Sequence, residues 1–143
     1  MNEKTNLQKI NMKQMKVWIY DPKPVKISDE LKKKIELKAQ NIINELKKEH
    51  IKGKNPNNDY NYIAEIYFKW IGNRFYLCSK YNCPSPNAIF PSFESKFARF
   101  EYYGDNNFQL FYLRHTGEWI NLYQNITLEK AFKKIIEDPC FTP

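Results

Sequence analysis

YIAEIYFKWIGNRFYLCSKY, residues 62–81, alternates apolar and polar side chains on both sides of a Gly72-Asn73 pair. Alternation with period two is the mark of a half-buried strand, and a Gly-Asn pair between two such runs is a hairpin signal. The stretch therefore predicts two antiparallel strands. Placing Ile71 opposite Arg74 sets Trp70 against Phe75 and Phe68 against Leu77, which gathers one apolar face. The other face then carries Tyr67, Lys69, Tyr76, Cys78 and Lys80.

The same pattern continues downstream. Nineteen of the twenty-three aromatic residues lie between Tyr60 and Tyr123. Lys96–Tyr103, Phe108–His115 and Glu118–Tyr123 read as a three-stranded meander turned at Gly104–Asn107 and Thr116-Gly117. Pairing Tyr103 with Phe108 and His115 with Glu118 collects Ala98, Phe100, Tyr102, Phe111, Leu113, Ile120 and Leu122 as the expected core. The opposite face receives Arg99, Glu101, Tyr103, Leu110, Tyr112, Arg114, Trp119, Asn121 and Tyr123, with Arg114 opposite Trp119 and Arg99 opposite Tyr112. Between the hairpin and the meander, residues 82–95 contain three prolines and no clear period, and are predicted to form a long crossing loop.

Two helices frame the strands. Ser28 is a capping residue ahead of Asp29 and Glu30, and Leu31, Ile35, Ala39, Ile42, Ile43 and Leu46 form one stripe at helical spacing. Lys47, Lys48 and His50 suit its C-terminal end, with Gly53 as a stop. A second helix opens at Thr127, buries Leu128, Ala131, Phe132, Ile135 and Ile136, and stops before Pro139. Residues 1–15 are expected to be a flexible leader, and Lys16–Tyr20 a possible additional strand ahead of Asp21-Pro22. The fold class predicted is α+β, a single domain over residues 16–143. Its mostly antiparallel five-stranded sheet is covered on one face by the two helices.

Composition narrows the functional classes. The 143-residue chain carries a net charge of +7, but fourteen lysines against seven acids fall in residues 1–54, and the remainder is formally neutral. No apolar run approaches the length that spans a bilayer, so no membrane association is expected. Three cysteines, Cys78, Cys83 and Cys140, are an odd number in a chain large enough for its own core, which points to reduced thiols and a cytoplasmic protein. Cys78 and Cys83 have spacing at the edge of the zinc-ligand range without a second compact pair, so neither a metal nor any other cofactor is expected.

Three constellations remain. Tyr67, Tyr76, Tyr103 and Tyr123 on the second sheet face make an interaction surface for another protein or a second copy of the chain. The Pro-rich loop 82–95 is an alternative contact. With Lys69, Lys80, Arg99 and Arg114 the same face has the composition that stacks single-stranded nucleic acid, although Tyr and Trp also suit any half-exposed strand. Arg99, Tyr112, Arg114, His115 and Trp119 form a candidate anion or ligand site. Only three of the twenty-three cations are arginine, and arginine alone offers a planar fork. No catalytic signature accompanies them. The functional expectation is a non-enzymatic interaction protein, with a single-stranded nucleic-acid-binding module, or a small enzyme or binding protein for an anionic small molecule at Arg114 and His115, as the alternatives.

Overall fold

The computed structural model describes residues 23–143, so the expected leader and the strand at Lys16–Tyr20 lie outside the described residues. The element order is helix α1 (Asp29–His50), strands β1 (Tyr62–Ile71), β2 (Arg74–Asn82), β3 (Ser92–Tyr102), β4 (Phe108–Leu113) and β5 (Trp119–Ile126), then helix α2 (Leu128–Glu137). A single 3₁₀ turn, Pro139–Phe141, follows. The chain is one α+β domain with a five-stranded antiparallel sheet in the order β1-β2-β3-β4-β5.

Local chemistry sets the helix ends. The Ser28 hydroxyl accepts from the Leu31 amide at 3.2 Å, and Thr127 accepts from the Lys130 amide at 3.3 Å. Each satisfies an amide that the first helical turn leaves without a partner. Asn106, from the β3–β4 turn, takes the Leu128 amide as well, at 3.1 Å. Ile35, Ala39, Ile43 and Leu46 of α1 are buried, as are Leu128, Ala131, Phe132 and Ile135 of α2. Ile136, expected inside, is 46% exposed, because it lies past the edge of the α2 stripe that meets the sheet. Ahead of α1, Val25 donates its amide to the Tyr102 carbonyl at 2.9 Å.

The first hairpin has the expected register, with Ile71 opposite Arg74, Trp70 opposite Phe75 and Phe68 opposite Leu77. The segment after β2 does not cross the domain. Asn82 pairs with Ser92, so β3 begins before Lys96 and the loop shrinks to residues 83–91. The Cys83 amide bonds to the Pro91 carbonyl at 2.8 Å and closes it.

The meander differs from the sequence expectation by one residue at each turn. Tyr102, not Tyr103, is opposite Phe108, and Leu113, not Arg114, is opposite Trp119. In the first turn Gly104, Asp105 and Asn106 all take positive φ (93°, 51° and 55°), and Tyr103 N–H donates to the Asn107 carbonyl at 2.8 Å. Asn and Asp are the non-glycine residues that best tolerate this conformation, so three residues make the turn where four were expected. In the second, Arg114 N–H donates to the Glu118 carbonyl at 2.9 Å, which lengthens the turn by one.

Because side chains alternate, a one-residue slip turns a strand over. Phe108, Leu110 and Tyr112 therefore meet the helices, while Phe111 and Leu113 lie on the opposite face. The second slip restores Trp119 to its expected side. An irregularity at Leu122, where Leu110 pairs with Tyr123 and Phe111 with Asn121, then brings Tyr123 to the helix side. Phe108 and Leu110 are 1% and 0% exposed, in place of the expected Phe111 and Leu113, while Ile120, opposite Tyr112 on the helix side, is only half-buried. The core thus lies between the two helices and Ile66, Phe75, Leu77, Phe100, Phe108 and Leu110, with the Phe100 and Phe132 rings 4.9 Å apart.

Truncating Leu110 to Ala is expected to cost about 2–5 kcal/mol, as for other fully buried leucines. Phe111→Ala is expected to cost clearly less, since its ring is only half-buried on the open face. Urea unfolding of both variants checks the order; the reverse order would restore the register read from the sequence.

Candidate functional site

The sheet face away from the helices is organised around two glutamates. Glu101, 3% exposed, accepts a hydrogen bond from the Tyr103 hydroxyl at 2.9 Å on Oε1. Its Oε2 lies 3.1 Å from Arg74 Nε and 3.0 Å from Arg99 Nη2, approaches that are ion pairs without well-aligned hydrogen bonds. Glu94, on the far side of the bulge at Phe97, takes the Tyr67 hydroxyl together with Lys69 and Lys96, both at 3.0 Å to Oε1. A carboxylate holding three donors stays ionised. The Tyr67 hydroxyl, then the lysines, hold the Glu94 carboxyl down at about 2. Burial, then the Glu101 carboxylate, pushes the Tyr103 phenol up to about 12.

Arg99 is clamped from the other side by rings. Its guanidinium carbon sits 4.2 Å from the Phe111 ring centre and 5.0 Å from that of Trp119, with its side chain 11% exposed. Such a cation is committed to stacking and pairing. Tyr76, 6% exposed, lies beneath Lys96 and beside Trp119, whose ring centre is 5.7 Å away.

The expected site residues therefore separate into three groups. Arg99 and Trp119 stack together with Tyr76, and Tyr67 and Tyr103 are bound to the two glutamates. Tyr112 and Tyr123 face the helices, where both contact Phe141 and the Tyr123 hydroxyl donates to Asp138 at 2.6 Å. Arg114 and His115 lie apart from both, at the β4–β5 hairpin tip. Arg114 is not stacked on Trp119; its side chain is 43% exposed and meets Glu118 at 3.5 Å. Arg114 and His115 line a cleft of about 310 Å³ together with Lys96, Phe97 and Cys140.

A further surface is only half visible in the sequence. The loop after β2 holds out Ile89 at 90% and Phe90 at 67% exposure, beside Phe93 at 44%, and Tyr60 ahead of β1 is 78% exposed. The loop is internally bonded: the Ala88 amide donates to the Ser85 carbonyl at 3.0 Å and the Asn87 amide to the Ser85 hydroxyl at 3.2 Å. Phe93 stacks flat on Tyr81 with ring centres 5.1 Å apart. A sequence signal for Ile89 and Phe90 exists: residues 82–93 contain no charged side chain.

Cys78 is buried, Cys83 half-buried and Cys140 exposed, all as free thiols. Burial pushes the Cys78 thiol up to about 11, the opposite of what a reactive thiolate needs. Among the described residues no group of three or more His, Cys, Asp and Glu side chains is placed to hold a metal ion, and no helix is long and apolar enough to cross a membrane.

An α+β domain with one helix-covered and one open, charge-paired sheet face is the class these observations define. The chain belongs to the family described as Domain of unknown function (DUF3024), whose model matches residues 3–143. No curated protein and no solved structure matches it.

The Glu94 cluster has a pH signature. Its carboxyl ordinarily titrates near 4.5 and is held at about 2 in the fold. The stability it contributes is fully present above 4.5 and is lost as pH falls toward 2. The melting-temperature gap between the wild type and Glu94→Gln is therefore expected to be widest above pH 5 and to close progressively below it. A gap that does not change with pH would show that the ionised Glu94 carboxylate does not stabilise the open face.

Proposed function

We propose that the protein is a non-enzymatic interaction module that docks on another polypeptide through the loop after β2. The observation that carries this reading is the apolar tip itself. Ile89 and Phe90 stand 90% and 67% exposed on a loop tied down by its own hydrogen bonds. Single exposed apolar residues are ordinary, but Ile89, Phe90 and Phe93 are close neighbours in one uncharged segment, in a chain whose residues are 27% charged. The partner surface that suits such a tip is apolar and uncharged, because no ion has to be desolvated when the two meet. Rigidity favours the same use, since a pre-ordered loop loses little freedom on binding.

The open sheet face is the weaker contact. Tyr67 and Tyr103 have their hydroxyls committed to glutamates, and Tyr76 is nearly covered. The nucleic-acid alternative loses support on the same grounds. Arg74, Arg99 and Lys69 each pair with Glu94 or Glu101, so a phosphate backbone would have to displace those carboxylates.

A photo-crosslinking residue at Ile89 tests the reading, with Leu37 of α1 as control, since Leu37 is itself 72% exposed. A discrete adduct is expected at position 89, absent at 37 and lost when Phe90→Asp is added. Light scattering over a concentration series then tells whether the captured polypeptide is a second copy of the chain. Equal labelling at both positions, or an adduct indifferent to Phe90→Asp, would contradict docking at the loop.

A further inference from the structure

The sheet splits where β3 and β4 part. Their ladder runs only from Arg99–Phe111 to Tyr102–Phe108, while β3 continues back to Ser92 paired with β2 alone. The bulge at Phe97, between the Leu77–Ala98 and Cys78–Lys96 pairs, sits at the parting point and bends β3 away from its neighbour. From the helix side the C-terminal turn wedges into the gap. Phe141 is 1% exposed against Tyr112 and Tyr123, and the Pro143 carbonyl accepts from the Tyr81 hydroxyl at 2.8 Å. What is left between β3, the β4–β5 tip and this turn is the cleft of about 310 Å³.

Its chemistry is one-sided. Lys96 enters from β3, and Arg114 and His115 from the hairpin tip, and among the described residues no carboxylate lines the cleft. The neighbouring acids have partners: Glu94 is shared between Lys69 and Lys96, and Glu118 meets Arg114 at 3.5 Å on the solvent side, with both side chains well exposed. An exposed pair of that kind is readily exchanged for a better acceptor. The turn does not need the Arg114 or His115 side chain, since its backbone is closed by Arg114 N–H to Glu118 O and by Gly117 at φ 88°. Ser95–Phe97, part of the β3 edge that β4 leaves unpaired, lie along one wall of the cleft and are a source of backbone donors.

We propose that this cleft binds the phosphate group of a small phosphorylated molecule. Arg114 supplies a bidentate fork, and Lys96 and His115 donate from other sides. Donors converging from separate elements suit a tetrahedral oxyanion better than a planar carboxylate, which one guanidinium can satisfy alone. The cleft is too small for more than a compact ligand.

The full chain is titrated with inorganic phosphate, and in parallel with acetate and chloride at constant ionic strength, following the His115 ring protons by NMR. Saturable shifts are expected with phosphate, and weaker, non-saturating ones with acetate and chloride. Arg114→Lys keeps the charge but loses the fork, and is expected to weaken phosphate about ten-fold without changing the melting temperature. Glu118→Gln releases Arg114 and is expected to tighten phosphate roughly two- to five-fold. Acetate binding as tightly as phosphate would overturn the phosphate assignment. A phosphate response that does not saturate, or that is the same in wild type and Arg114→Lys, would overturn the site. Arg114 and Glu118, the positions substituted, lie at the β4–β5 hairpin and not in the loop after β2, so crosslinking at Ile89 is unaffected by either result.

Discussion

Three successive residues with positive φ, Gly104, Asp105 and Asn106, determine which side chains of the later strands meet the helices. A left-handed run of three is costly for most residues, and Gly, Asp and Asn are those that tolerate it. The turn they form is one residue shorter than a Gly104–Asn107 turn, and it places Phe108 and Leu110 over α2. Asn106 then reaches across to cap the first turn of that helix through the Leu128 amide. One turn therefore sets the strand register and helps start the helix that covers it. The Phe100–Phe132 contact and the burial of Leu110 depend on that register.

The open face follows from the same register. With Phe111 turned outward, its ring lies under Arg99, and the guanidinium is held between that ring, Trp119 and Glu101. A half-exposed sheet face of aromatics and cations is thereby closed by internal pairing, with Glu94 acting at one end as Glu101 acts at the other. Two carboxylates, each facing two cations and a tyrosine, give each of these four cations an acidic partner. The free chemistry is displaced to the rims: the apolar tip at one connection, and the Arg114 and His115 hairpin beside the split between β3 and β4.

Much of the fold is legible in the sequence because it rests on period and local capping. The α1 stripe, the Ser28 and Thr127 caps, the Gly72-Asn73 hairpin and its register are all local signals. The two meander registers are not legible. A Gly-Asp-Asn-Asn string is compatible with turns of three or four residues, and alternating strands rich in aromatics on both faces do not say which face is buried. Phe111 and Leu110 are both apolar; only the turn geometry chooses between them. The expectation of a crossing loop at residues 82–95 fails for a related reason. Three prolines argue against a strand interior, yet they do not prevent Asn82 and Ser92 from pairing at its mouth.

The candidate residues separate along the same line. Arg99 and Trp119 share one face, but Arg114 does not reach Trp119, a contact that the longer second turn forbids. Ile89 and Phe90 sit inside a segment already conspicuous for its prolines, and the absence of charge there is the stronger signal. Since the faces, the Arg99 clamp and the exposure of Arg114 all follow from the β3–β4 register, cross-strand NOEs between backbone α protons of these two strands test it most directly. Contacts that pair Tyr102 with Phe108 and Phe100 with Leu110 are expected. Contacts pairing Tyr103 with Phe108 and Glu101 with Leu110 would contradict it.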